Sequence, residues 1–334
     1  MTAKTRYFVI ASLLTTAVGV SAGLLAYYSG LQAPAAAGDR RELRFVPANA
    51  TLVAFADVRA VMGSELRQEF RRVMPDRPDR GPEEFEEETG INLERDVDHV
   101  VAYVAPAETA TEDLPGSVLV LARGRFEGSR IEAAMERHGA VREDYRGTAL
   151  FIGRPERPAG GQRGEREFGL AFVEPELVAV GSPRLVRSAL DLREGQGTSI
   201  GGNSEIAGLI QTVDGDVWAV GLLDALTDRA DLPPAIAERL PPVRQFAASG
   251  RINGGLDARL QAEATDEAAA NQWRDVVRGI IALARMQSAS MPEAQGLLDS
   301  IQLGGTDRTI TLSFSIPPGI VEWLSRARNP QVQP

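Results

Sequence analysis

The chain has 334 residues, of which 43% are hydrophobic and 25% charged, a formal net charge of -10 and a pI near 5.0. That length buries one large core or two ordinary ones. The acidic balance lacks the clustered bases that phosphate backbones demand, so no nucleic-acid partner is expected. With no cysteine, disulfides, thiolate metal ligands, a cysteine nucleophile and a lipidated cysteine are all excluded.

Lys4 and Arg6 precede an uncharged stretch from Tyr7 to Leu31, with Tyr7 at one end and Tyr27 and Tyr28 near the other. At about 1.5 Å per residue, Phe8 to Tyr27 span about 30 Å, the thickness of a bilayer's hydrocarbon. The terminal tyrosines fit interfacial belts. Residues 1–31 are therefore expected to form an N-terminal transmembrane helix, a single-pass signal anchor. The alternative is a cleaved signal, with Ala35 to Ala37 before Gly38 as its cleavage site. Both place the bulk of the chain in the periplasm, on the cell inner membrane or secreted after cleavage. Arg40, Arg41 and Arg44 weigh against that orientation.

After a linker, 32–44, "LVAFADV" from Leu52 reads as a strand, followed by a helix with Met62, Leu66, Phe70 and Val73 on one face. Strands "VDHVVAYVA" and "SVLVLARG" come next, then a helix with Ile131, Ala134, Met135 and His138 together, stopped at Gly139. "TALFIG" and "EFGLAFVEPELVAVGS" read as strands, joined by a Pro, Gly and charge-rich tip. Ser182 and Pro183 start a closing helix. The remainder repeats the order: "DVWAVGLLDALTD", strands "RQFAASGRI" and "LDARLQAEA", and a helix from Asp266 to Arg285. Its apolar stripe holds Trp273, Val276, Val277, Ile280, Ile281 and Ala284. A hairpin turning near Gly304 and Gly305 and a last helix, "PPGIVEWLSRAR", complete it.

The expected fold class is α+β: two similar halves of mostly antiparallel sheet with helices on one face, preceded by the anchor. The modules span 45–200 and 201–328, with a tail at 329–334. The runs from Pro47 to Arg59 and from Glu87 to Asn92 resemble those of an uncharacterised class of bacterial membrane-anchored proteins with duplicated α+β domains. The likeness covers residues 45 to 325 and implies no activity.

"GTSIG", Gly197 to Gly201, fits the G-x-S-x-G of a hydrolase elbow, but it follows a helix, and both histidines, His99 and His138, precede Ser199. His138 in the last turn of its helix suits a C-terminal cap. His99 lies on a strand among Val97, Val101 and Tyr103, and two histidines about forty residues apart do not make a zinc site. No phosphate-binding glycine loop occurs, which disfavours nucleotides. The acidic run "EEFEEETGINLERDVDH", Glu83 to His99, reads as a dipole-matched helix start with Glu83, Glu84 and Glu86 in its first turn, ended by Gly90. It lacks the spacing of a calcium loop. No catalytic, cofactor or metal residue is assigned, and no cofactor is expected. The chain reads as a non-enzymatic, membrane-tethered scaffold or interaction module with an envelope protein as partner. The alternatives are an apolar-ligand or lipid carrier, and a hydrolase using Ser199 or paired carboxylates such as Glu87 and Asp96.

Overall fold

A computed structural model describes residues 40–65, 67–68, 86–87, 90–106, 118–153, 167–223, 243–287 and 292–317. The fold is α+β, with antiparallel sheet and several helices. Contacts divide the chain into two compact units, one of Pro34–Arg59 with Pro78–Gly208, the other including Leu209–Pro334. The expected transmembrane helix, the hairpin tip at 154–166 and the last helix lie outside the described residues.

In the first unit, strands β1 (Leu52–Asp57), β2 (Val97–Val104), β3 (Val118–Gly124), β4 (Val141–Tyr145), β5 (Thr148–Gly153), β6 (Phe168–Glu174) and β7 (Leu177–Gly181) follow the chain. They pair antiparallel in the order β1-β2-β3-β7-β6-β5-β4. Helices α1 (Val58–Met62), α2 (Leu93–Asp96), α3 (Gly128–Arg137), α4 (Pro183–Arg193) and α5 (Ser204–Thr212) complete the first part of the chain. The run "EFGLAFVEPELVAVGS" divides into β6 and β7, and β4 appears where no strand was expected.

Apart from β4, these strands are apolar on both faces. Consecutive Leu150 and Phe151 on β5 are both 0% exposed, yet a strand turns neighbouring side chains to opposite sides. On one side Phe151 packs with Leu170, Val178 and Ile131 of α3. On the other, Leu150 stands in a cross-strand row with Ala171, Ala179 and Leu121, and α4 covers it. There Tyr103 Oη donates to the Leu185 carbonyl at 3.5 Å. A Cβ at Gly169 would lie 3.0 Å from Pro183 Cα, so the glycine lets helix and strand approach. The expectation of helices on one face is thus corrected for this unit: two apolar faces require two covers.

In the second unit β8 (Val217–Leu222), β9 (Val243–Ile252), β10 (Leu256–Ala264), α6 (Glu267–Gln287), α7 (Pro292–Ser300), β11 (Gln302–Gly304) and β12 (Thr309–Ile316) follow in sequence. The strands pair antiparallel in the order β8-β9-β10-β12-β11. Ala264, Ala269, Ala270 and Ile310 form one core cluster, with Trp273 against it. Leu297 of the unexpected α7 joins Phe314 and Ile316 in another. Buried Arg274 donates through Nη2 to the carbonyls of Asp307 at 2.9 Å and Thr309 at 2.8 Å, tying α6 to the turn before β12. The apolar stripe of α6 is divided: Ala284 is buried and Trp273, Val277 and Ile281 half-buried, whereas Val276, Ile280, Leu283 and Met286 are exposed.

Phe151→Ala is expected to cost about 3–5 kcal/mol through lost burial and a cavity between sheet and α3. Met286→Ala, on the exposed side of α6, should stay within about 0.5 kcal/mol. Urea unfolding measures both.

Candidate functional site

A buried polar cluster of the first unit lies at the end of its sheet on the α4 side. Cross-strand pairing aligns Asp57 of β1 with His99 of β2 and His99 with Arg123 of β3, so three ionisable side chains stand in a row. The 3-10 turn Arg40–Phe45 packs over this row and inserts Glu42, which is 1% exposed. Its Oε1 accepts from Arg123 Nε in a charge-assisted hydrogen bond. Its Oε2 lies 3.2 Å from His99 Nε2, in ion-pair range but not aligned as a hydrogen bond. Arg123 Nη2 also donates to Glu174 Oε2 at 2.6 Å, and Arg44, on the same turn as Glu42, pairs with the other oxygen of Glu174. The Phe55 ring lies 5.7 Å from the His99 imidazole.

Burial works to raise the pKa of Glu42, but the adjoining His99 imidazole and the Arg123 guanidinium outweigh it and hold the carboxyl at about 2. Glu174 is lowered as well: burial acts upward, and Arg123 and Arg44 act more strongly downward. For Tyr103, burial pushes the hydroxyl up.

This cluster was not legible as a site. Glu42 stood in the expected linker, and nothing in "RRELRF" announces a buried carboxylate. The one available signal was His99, an ionisable residue on the strand face it shares with Val101 and Tyr103, which demands a partner when buried.

The same turn leads into a clasp. Ala48 N donates to Thr198 O at 2.9 Å and Ile200 N to Val46 O at 2.7 Å, making an antiparallel bridge between Pro47 and Ser199. Asn203 Nδ2 adds a bond to Ala48 O at 2.8 Å. Ser199 is therefore an extended residue before a 3-10 turn at Ile200–Gly202, not the strand-to-helix elbow of a hydrolase. "GTSIG" is the receiving half of the clasp.

Of the acidic run, Glu86, Glu87 and 90–99 are described. Asn92 caps α2, its Oδ1 accepting from Glu94 N and Arg95 N at 3.1 Å each. Asp96 Oδ2 returns the bond by accepting from Asn92 N at 2.9 Å, the reciprocal logic of a capping box. Asn92 Nδ2 donates to Glu86 Oε2 at 2.8 Å. The Asp96 carboxyl is lowered, with Arg95 the main cause. Gly90 at φ +75 accepts the chain reversal after Glu86. Asp96 is thus engaged locally, while Arg130 Nη2 bonds the carbonyl of Glu87 at 3.1 Å. His138 is exposed at the C-cap of α3, and Gly139 follows it at φ +76.

A groove of about 560 Å³ opens between the Pro47–Asn49 turn and α4, where Arg184, Arg187, Ser188 and Asp191 line it. That volume suits a small ligand, and the lining is mixed, with Pro47, Ala48 and Leu185 beside the polar groups. Arg187 is paired with Glu143 and Asp191 with Tyr145 and Arg146. Among the described residues no group of three or more His, Asp or Glu is placed to hold a metal ion. No family model, curated protein or solved structure matches the chain.

Because the folded Glu42 carboxyl is held at about 2 against an ordinary 4.5, its contribution is fully present above about pH 4.5. It is lost as pH falls toward 2, on the order of 3 kcal/mol. Glu42→Gln should remove that part of the acid dependence, while the contribution of Asp96, engaged locally at α2, is common to both proteins. Urea midpoints between pH 2 and 7 measure it.

Proposed function

We propose that the protein is a non-enzymatic, single-pass module tethered to the bacterial inner membrane through residues 1–31, with the two α+β units in the periplasm and a protein of the envelope as partner. The observation that carries the reading is the uncharged stretch Tyr7 to Leu31, followed within a short linker by a chain that enters the fold as a fixed element. A tether needs a firm point of attachment. Buried Glu42, with Arg123 and Glu174, and the bridge between Pro47 and Ser199 supply one at residues 40–50.

The duplication belongs to the same proposal. The order β1-β2-β3-β7-β6 in the first unit and β8-β9-β10-β12-β11 in the second follow one scheme, with α3 and α6 each leaving the third strand. On that scheme the β4–β5 hairpin is an addition to the first copy. An interaction role draws support from α6, whose Val276, Ile280, Leu283 and Met286 leave an apolar stripe exposed, a feature associated with contact surfaces. No helix among the described residues is long and apolar enough to cross a membrane, so the tether rests on the N-terminal stretch.

Protein recovered from membranes is expected to resist alkaline extraction and to begin before Ala33 on N-terminal sequencing. A mature chain starting at Gly38 would replace the tethered reading with a secreted one. Calcium or zinc should leave the melting temperature unchanged, and a rise abolished in Glu87→Gln would restore the acidic run as a metal site.

A further inference from the structure

β4 is the last strand of the first unit, paired with β5 alone among the described residues. Its sequence is "VREDY", and Val141 at its start is 68% exposed. The β4–β5 turn is two residues long, with Arg146 at φ 54 and Gly147 at φ 74. Both central residues in the left-handed region define a type I′ hairpin. In such a hairpin the flanking pair, Tyr145 and Thr148, exchanges both backbone hydrogen bonds, and hydrogen-bonded and non-bonded pairs then alternate along the ladder. With the register Tyr145 to Thr148, Glu143 to Leu150 and Val141 to Ile152, those three β4 residues turn their N–H and C=O inward. Arg142 and Asp144 turn theirs to the open edge.

Charged residues on an edge strand ordinarily deter pairing. Here their order does the opposite for one partner. A second copy approaching antiparallel can align outward groups with outward groups in three central registers. Centred on Arg142 or on Asp144, each sets that residue against its own copy, like charge against like. Centred on Glu143, Arg142 faces Asp144 of the second copy and Asp144 faces its Arg142. Four backbone hydrogen bonds and two opposite-charge pairs then form together. Val141 meets Tyr145 of the other copy on the opposite side.

We propose that β4 is a self-complementary edge through which two copies of this chain pair antiparallel about a two-fold axis at Glu143. The interface is isologous, each copy giving and receiving the same contacts. The one opposing contact is Glu143 against Glu143, and each of these carboxylates is engaged by Arg187 of its own chain, with Nη2 to Oε2 at 2.6 Å and Nε to Oε1 at 3.2 Å. Arg142 lies 5.9 Å from the Phe151 ring and Asp144 Oδ1 accepts from Gly147 N at 3.1 Å, so both residues are placed before pairing. A five-residue edge buries less than the roughly 1,200 Å² of stable complexes, so the association is weak in dilute solution and calls for a trapping experiment. It concerns one strand edge and does not depend on the membrane tether.

The chain's lack of cysteine makes that experiment direct. Glu143→Cys places one thiol on the axis, where opposed Cα atoms in a non-bonded antiparallel pair are about 4.5 Å apart. Val141→Cys places its thiol about 14 Å from its mate, beyond disulfide reach. In the full-length protein in detergent under mild oxidation, E143C is expected to cross-link at least about tenfold faster than V141C. Within the E143C protein, Arg142→Asp or Asp144→Arg alone should slow cross-linking about tenfold, and the two together should restore it. Circular dichroism melts confirm that each variant is folded, and the E143C and V141C comparison stands if a charge reversal does not fold. Equal rates for E143C and V141C, or folded charge reversals that leave the rate unchanged, would overturn the proposal.

Discussion

The first unit is governed by a single packing constraint: its central strands are apolar at both parities, so neither face of the sheet can be left to water. Leu150 and Phe151, adjacent in sequence and both inaccessible, state it most simply. One face takes α3 and the other takes α4, and α4 does not reach the end of the sheet where His99 and Arg123 stand. The 3-10 turn at Arg40–Phe45 fills that gap with Phe45 and Glu42. The polar cluster is a consequence of completing the cover with a segment that carries a carboxylate.

A carboxylate in such a place is tolerated only with opposite charge beside it, and removing one partner of a buried pair costs more than the pair contributes. Glu42 shares its two oxygens between Arg123 and His99, and Arg123 in turn reaches Glu174, which Arg44 also holds. Five residues from four separate segments of the chain thus depend on one another. Such a network specifies where the arm lies more than it adds stability. At the other end of the same sheet the apolar supply runs out, and β4 is charged because the side chains there meet solvent.

Periodicity explains what could be read in advance. Strands β1, β2, β3, β5 and β9 and helices α3, α4 and α6 carry their burial in their spacing, and Ser182, Pro183 and Gly139 mark helix ends by stereochemistry alone. β4 carried no such signal, since "VREDY" has no apolar alternation and is held by a turn and a neighbour. α7 was absorbed into a reading of the hairpin that follows it. The apolar stripe on α6 is legible, but how much of it is buried is not, because spacing cannot say how wide the buried arc is. The clustering of Glu42, His99 and Arg123 depends on strand register and on the path of the arm, neither of which is written in local pattern. Ser199 shows the converse, a motif whose letters match while its context, following a helix with both histidines before it, already speaks against an elbow.

The bridge between Pro47 and Ser199 joins the segment that enters the first unit to the segment that leaves it. Force applied at residue 40 therefore meets the Glu42 network first and then passes through Ala48, Thr198 and Ile200 into the outgoing chain. Part of that load enters β2, β3 and β6 through His99, Arg123 and Glu174, and part crosses the bridge directly. Mechanically, the bridge is a shunt that spares the chain between its two ends the full tension.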